Sequence, residues 1–211
     1  MKKKYKYAVI FGAAAVAVAL VVRIRWVNAD RHEAPVETYA MGEEVALEDN
    51  YTLEEYEIAE DYVITVNSAK VSSLEEFLEK YGYTAADIDT LFPAKDMTYP
   101  EMVYDVNITV KNVGTEERED VGINLSFYDL MAIDYKLQIN DTLYTVANPH
   151  MENGTQIFRL KPHSEMTIEL PYYFSVSAPY SYLTTDEVKS GDMYLVLTMY
   201  PTEKRILVRE K

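Results

Sequence analysis

The sequence predicts an all-β fold, an immunoglobulin-like antiparallel β-sandwich with a short helical insert, preceded by an N-terminal transmembrane helix. Three observations predict it. Residues 8–22, AVIFGAAAVAVALVV, carry no charge and directly follow Lys2, Lys3, Lys4 and Lys6. Residues 102–112, MVYDVNITVKN, alternate apolar and polar side chains with the period of a strand buried on one face. From residue 43 onward, short runs rich in β-branched and aromatic residues recur between turn signals without βαβ alternation. That pattern belongs to two packed antiparallel sheets, with about seven to nine strands.

The N-terminal segment reads as a targeting signal, because only a helix that satisfies its own backbone is stable in lipid. The uncharged run is shorter than the roughly 20 residues a bilayer requires. Tyr7 on one side and Ile24, Trp26 and Val27 on the other extend it to residues 7–27 while Arg23 and Arg25 snorkel toward head groups. Trp26, the only tryptophan, then falls at interfacial depth. The arginines favour an uncleaved signal-anchor. Val27-Asn28-Ala29 also meets the small-residue rule for signal peptidase, so the alternative is a secreted domain released after Ala29. Either way the lysine side stays in the cytoplasm and the rest lies outside. The chain therefore divides into a signal-anchor or signal peptide (1–29), a spacer (30–42) and a sandwich domain (43–211).

Beyond residue 29 the chain holds 14 basic and 35 acidic residues, a formal net charge of −21. A domain so acidic is repelled by nucleic acid and anionic lipid, and its natural partners are cations, basic proteins or neutral surfaces. Cysteine is absent. That excludes disulfides and a lipid attached through an N-terminal cysteine, and it suits a Gram-positive bacterial surface.

The spacer DRHEAPVETYAMG contains Pro35 and Gly42, which interrupt regular structure. Residues 43–61 hold nine acidic side chains and no basic one, with VAL at 45–47 and YTLEEYEIA at 51–59 as edge strands. YVITVNSA at 62–69 is a strand by composition. Ser73 with Glu76, and Thr84 with Asp87, form capping-box patterns ahead of two short helices, the first presenting Leu74, Phe77, Leu78 and Tyr81 on one face. In the strand at 102–112, Met102, Tyr104, Val106, Ile108 and Val110 face inward. INLSFYDL at 123–130 alternates again, and 134–140 with 142–148 reads as a hairpin around Asn140-Asp141. Residues 158–174 form a strand, a turn at Pro162-His163 and a second strand with Met166, Ile168 and Leu170 inward. The tract 175–192 has turn composition, and MYLVLTMY with KRILVRE closes the domain as a hairpin around Pro201-Thr202-Glu203.

The segments MGEEVALED, YVITVNSAKV, YDVNITVKNVGTEERED and FRLKPHSEMTIELPYYF together resemble an uncharacterised Firmicutes family of small membrane-anchored or exported immunoglobulin-like proteins. They are distantly similar to telokin-like extracellular domains. In that group an alternating strand ending Lys-Asn-x-Gly precedes a polar turn, as Lys111, Asn112, Val113 and Gly114 do here. The resemblance spans residues 41–208 and implies a fold and a surface location, with no catalytic residues to carry over.

No enzyme motif stands out. His32 lies in the spacer, His150 and His163 lie beside prolines in loops, and there is no HExxH, GxSxG or phosphate-cradling loop. Ser164 adjoins His163, but strand neighbours point to opposite faces. Abundant carboxylates keep an envelope hydrolase with paired acids as a distant alternative. A calcium ion would draw on Asp49, Asn50, Glu116, Glu117, Glu119 and Asp120, although no DxDxDG loop is present. The four Asn-x-Thr sequences, at Asn50, Asn107, Asn140 and Asn153, read as chance. No cofactor is expected. The other unusual feature is tyrosine, with 19 in the chain. Tyr172, Tyr173, Tyr180 and Tyr182 flank one loop and form the candidate interaction surface, suited to an envelope protein or cell-wall polymer. The leading expectation is a non-enzymatic interaction module displayed outside the membrane, and the alternative is a secreted solute- or calcium-binding domain.

Overall fold

The computed structural model describes residues 2–29, 34–53, 58–94, 99–176 and 183–210. It divides into two units, Met1–Glu33 and Ala34–Lys211. The first is a single helix, α1 (Lys2–Ala29), whose described side chains are exposed throughout. Its stretch Ile10–Asn28 is long and apolar enough to cross a membrane by length and composition, a test that a cleaved signal sequence also passes.

The second unit folds as a β-sandwich. In chain order its elements are β1 (Val36–Ala40), β2 (Val45–Ala46), β3 (Tyr62–Ser73), α2 (Leu74–Lys80), α3 (Ala85–Leu91), β4 (Met102–Asn112), β5 (Ile123–Asn124), β6 (Leu130–Met131) and β7 (Lys136–Ile139). There follow α4 (Asp141–Ala147), β8 (Ile157–Phe158), β9 (Glu165–Phe174), α5 (Thr185–Ser190), β10 (Met193–Thr198) and β11 (Glu203–Val208). Nine strands form one sheet in the order β1-β11-β10-β6-β7-β9-β4-β3-β2, and β5 pairs with β8 separately. The sheet doubles over at the short β6–β7 pairing, so that Ile64, Val66, Val106 and Ile108 of one layer share a core with Leu195, Leu197, Ile206 and Val208 of the other. The two end strands of the sheet, β1 and β2, are neighbours in the chain. The Lys204 ammonium of β11 spans the seam between the layers, donating to the Ala46 carbonyl at 2.7 Å and to Glu48 at 2.5 Å.

The inward series of β3 changes phase midway. Tyr62, Ile64 and Val66 are buried, and the series resumes at Ala69 and Val71, because a bulge between Val66 and Ser68 inserts an extra residue against β4. In β4 the alternation holds without interruption: Tyr104, Val106, Ile108 and Val110 are all fully buried. Its outer face is wet only in part. Leu74, Phe77 and Leu78 of α2, Ile88 of α3, and Leu143 and Ala147 of α4 cover Val103 in a second apolar cluster. Both expected capping boxes are present, with Ser73 and Glu76 exchanging hydrogen bonds and Thr84 N–H donating to Asp87 at 2.8 Å.

Elsewhere the structure departs from the expectation. The segment assigned as spacer contains β1, which pairs in parallel with β11, while the other strand pairings are antiparallel. Pro35 bounds β1 rather than breaking it, and its carbonyl accepts from Glu203 N–H at 2.8 Å. Residues 123–130 are not one strand. The Asn124 side chain accepts from Ser126 N–H and turns the chain into a single 3₁₀ turn, Leu125–Phe127. The hairpin expected at 134–148 is a strand followed by a helix. Asn140 caps α4 by accepting from Leu143 N–H at 3.0 Å, and Leu143, Tyr144 and Ala147 bury one helical face. Within 175–192, α5 starts from a Thr184–Glu187 capping box. Asn140→Ala is expected to lower stability by about 1 kcal/mol, the ordinary worth of such a cap; urea unfolding midpoints at unchanged slope check it.

Candidate functional site

The largest described cavity is an open cleft of about 620 Å³ at one end of the sandwich. It forms where three peripheral pieces of chain meet, the segment after β2, the β5–β8 pair and the end of β10. Leu47, Val121, Ile123 and Leu197 are buried beneath it, and half-buried Tyr51, Ile58 and Phe158 stand around it. A parallel bridge between Ile58 and Val121, with Gly122 N–H donating to the Ile58 carbonyl at 2.9 Å, fixes two of the walls. Gly122 has no room for a side chain, since a Cβ there would lie 3.0 Å from the Phe158 carbonyl oxygen.

The polar side chains beneath the cleft are used by the fold. Asn50 donates to the Leu47 carbonyl at 2.9 Å and accepts from Thr202 N–H at 2.9 Å. Thr52 donates to the Leu197 carbonyl at 3.1 Å, and Thr198 donates to the Thr202 carbonyl at 2.8 Å while accepting from Lys204 N–H. The exposed rim carries Glu119, Asp120 and Arg159, and the Arg159 guanidinium donates to the Glu119 carbonyl at 2.5 Å. Arg118 is clamped between Glu60 and Asp120, and its hydrogen bonds hold the Asp120 carboxyl below the usual carboxylate range. Such a cleft offers apolar contact and anionic surroundings rather than a nucleophile or an acid–base pair.

A second charged constellation lies on the outer face of the β4–β9 layer. Lys80 at the end of α2 donates to Asp105 at 2.9 Å and to Glu169 at 3.1 Å. Asp105 is 8% exposed and its Oδ1 has no hydrogen-bond partner. Burial, together with the charge of Glu169, outweighs Lys80 and pushes the Asp105 carboxyl up to about 6. These two carboxylates converge on a lysine and not on a cleft, so they read as a buttress between α2 and the sheet.

The tyrosine surface does not assemble as expected. Tyr172 is fully buried, and its hydroxyl donates to the Tyr128 carbonyl at 2.5 Å, so it has no surface to offer. Tyr173, its strand neighbour, points to the opposite face and half lines a shallow depression beside Gln138, Ile139 and Asp141. Tyr180 and Tyr182 lie outside the described residues. Sequence reading missed a third hollow of about 490 Å³ that includes Ile133, Tyr135, Leu183 and Tyr194. Ile133 there is 97% exposed, and Arg205 stacks on Tyr194 at 4.2 Å.

The calcium candidates do not converge. Asn50 is committed to backbone, Asp120 to Arg118, and no group of three His, Asp or Glu among the described residues is placed to hold a metal. Ser164 donates to Lys161 within its turn, so it forms no nucleophile pair with the exposed His163.

The profile of a domain of unknown function, DUF5028, matches residues 36–204. The chain belongs to the DUF5028 family. The match opens at the first residue of β1 and closes inside β11, so in DUF5028 the parallel edge strand counts with the sandwich. No curated protein matches the chain. Among solved structures, the DUF5028 chain is similar to an uncharacterised β-sandwich protein from Clostridium difficile, at 13% identity and a TM-score of 0.40, over 85% of this chain and 99% of that one.

Proposed function

We propose that this DUF5028 protein is a non-enzymatic binding module, held outside the cytoplasmic membrane by α1, whose cleft receives an apolar group of an envelope partner. The cleft carries the reading: an apolar base of about 620 Å³ whose polar neighbours Asn50, Thr52 and Thr198 are already engaged. A catalytic cleft would need convergent, chemically available groups, and a recognition cleft needs apolar area with exclusion of water. The signal-anchor reading, the Gram-positive surface and the distant likeness to telokin-like extracellular domains belong to the same proposal and rest on the sequence. Tyr173, Tyr180 and Tyr182 remain proposed as a secondary contact surface.

A second reading, a secreted solute-binding domain, is favoured by one observation. The volume lies within the range of about 300–1,000 Å³ typical of small-molecule sites. Fractionation of native cells with N-terminal sequencing separates the two. The anchored module is expected in the membrane fraction with its N-terminus intact, and a soluble form beginning at Asp30 would replace it with the secreted reading. In-cell crosslinking from a photoreactive residue at Ala59 is expected to capture an envelope component. Crosslinking only to small metabolites would favour the solute-binding domain.

A further inference from the structure

The chain's two most acidic stretches both border the cleft. Residues 43–61 contain nine acidic side chains and no basic one, and they supply Leu47, Asn50, Tyr51, Thr52, Ile58 and Ala59 to its lining. Residues 116–120, Glu-Glu-Arg-Glu-Asp, supply Glu119 and Asp120, and the one arginine among them is neutralised by Glu60 and Asp120. Apolar surface continues beyond the cleft at Leu53 and Ile157, 59% and 63% exposed. An apolar hollow between two anionic banks discriminates sharply among ligands. Anionic lipid, nucleic acid and anionic wall polymers are repelled. A neutral glycan would need hydrogen-bonding groups, which the fold has already used at Asn50, Thr52 and Thr198. A side chain that is large and apolar, on a backbone flanked by cations, satisfies both the hollow and its banks.

We propose that the cleft docks a basic amphipathic peptide segment, seating one large apolar side chain over Leu47, Ile123 and Leu197 with lysine or arginine on either side facing the two acidic stretches. This rests on the binding-module reading above and names the chemistry of its partner. The Arg159 guanidinium interrupts the anionic rim on the β8 side, so the flanking cations lie toward residues 43–61 and 116–120 rather than across β8.

The test uses the full chain in nanodiscs of neutral phosphatidylcholine and three labelled heptapeptides. One has six lysines around a central tryptophan, the second has glycine at the centre, and the third has glutamates around tryptophan. Seating a tryptophan is expected to tighten binding at least about tenfold over glycine, and the glutamate peptide should not bind. Raising the salt from about 50 to 500 mM should weaken the lysine–tryptophan peptide several-fold, since the flanking contacts are exposed charges. Ala59→Trp, which fills the hollow from a half-buried position, should erase the advantage of the central tryptophan. Glu119→Lys should weaken all lysine peptides about threefold or more while keeping that advantage. Thermal unfolding of each variant checks that it is folded, and Ile58→Ser replaces Ala59→Trp if the latter is not.

Equal binding of the tryptophan and glycine peptides, or an unchanged tryptophan advantage in a folded cleft variant, overturns the proposal. So does in-cell crosslinking to a partner segment without basic residues, which would leave the binding-module reading intact. Failure of both crosslinking and peptide binding removes the two together.

Discussion

Replacing Asn148 with alanine is expected to cost about 3–5 kcal/mol, the largest effect of any single polar side chain in the domain. Asn148 follows α4 and is 1% exposed. Its side-chain amide donates to the Tyr144 carbonyl at 2.9 Å and to the Glu169 carbonyl at 2.8 Å, and its oxygen accepts from Glu169 N–H at 2.9 Å. Further along β9, β7 pairs with residues 172 and 173, and short of that point no strand runs on this side. The Asn148 amide makes there the pair of hydrogen bonds that a strand would otherwise make. Alanine leaves the donor and acceptor of Glu169 and the last carbonyl contact of α4 without these partners, each worth about 1–3 kcal/mol if water cannot reach it. Asn148→Asp separates this from a volume effect. Aspartate can accept from Glu169 N–H but cannot donate to either carbonyl, so its loss should match or exceed that of alanine at neutral pH. Urea unfolding at constant slope measures both, and a loss below 1 kcal/mol for Asn148→Ala would show that water takes over the bonds.

Asn148 also shows what a sequence can and cannot disclose. Residues 142–148, with Thr142, Tyr144, Thr145 and Val146, have the composition of a strand, and they do lie against the sheet. What decides for helix is one capping contact, Asn140 to Leu143 N–H, together with an apolar pair already waiting on α2 and β4. Where local alternation and tertiary burial agreed, as along β4 and β9, element and facing were readable residue by residue. The same period of two carried a warning about Tyr172 and Tyr173, because adjacent strand residues cannot share one surface; Tyr172 went to the core. The parallel β1–β11 pair was not readable, since a five-residue edge strand carries no signal for its partner. The cleft was half visible. Its acidic banks stand out in the sequence, but its walls come from residues 47–59, 119–124, 157–159 and 197–198, and only the fold brings those together.

The second large effect is a pH dependence centred on Asp105. Its carboxyl sits at about 6 in the folded chain against 3.8 for an ordinary aspartate, because burial and Glu169 disfavour its charge more than Lys80 favours it. Between those two values the folded state holds a proton that the unfolded state has released. Asp105 therefore contributes its full stabilisation below about pH 4, and that contribution is lost as pH rises through 6. A difference of about two pKa units corresponds to roughly 3 kcal/mol. The whole-protein curve mixes this with other carboxylates, such as Asp87, whose hydrogen bonds from Thr84 hold it below the usual range and act with the opposite sign. Asp105→Asn isolates the term. Asparagine still accepts from Lys80 through its side-chain oxygen, leaves Lys80 with Glu169, and does not titrate. The stability of Asp105→Asn relative to the parent should accordingly rise by about 3 kcal/mol between pH 4 and pH 7.5, with most of the change between pH 4 and 6. Urea unfolding of the pair across that window measures the difference. A flat difference would mean that Lys80 balances the burial of Asp105, and a slope of opposite sign would mean that Lys80 prevails and that the buttress under α2 is an ion pair stabilised by its charge.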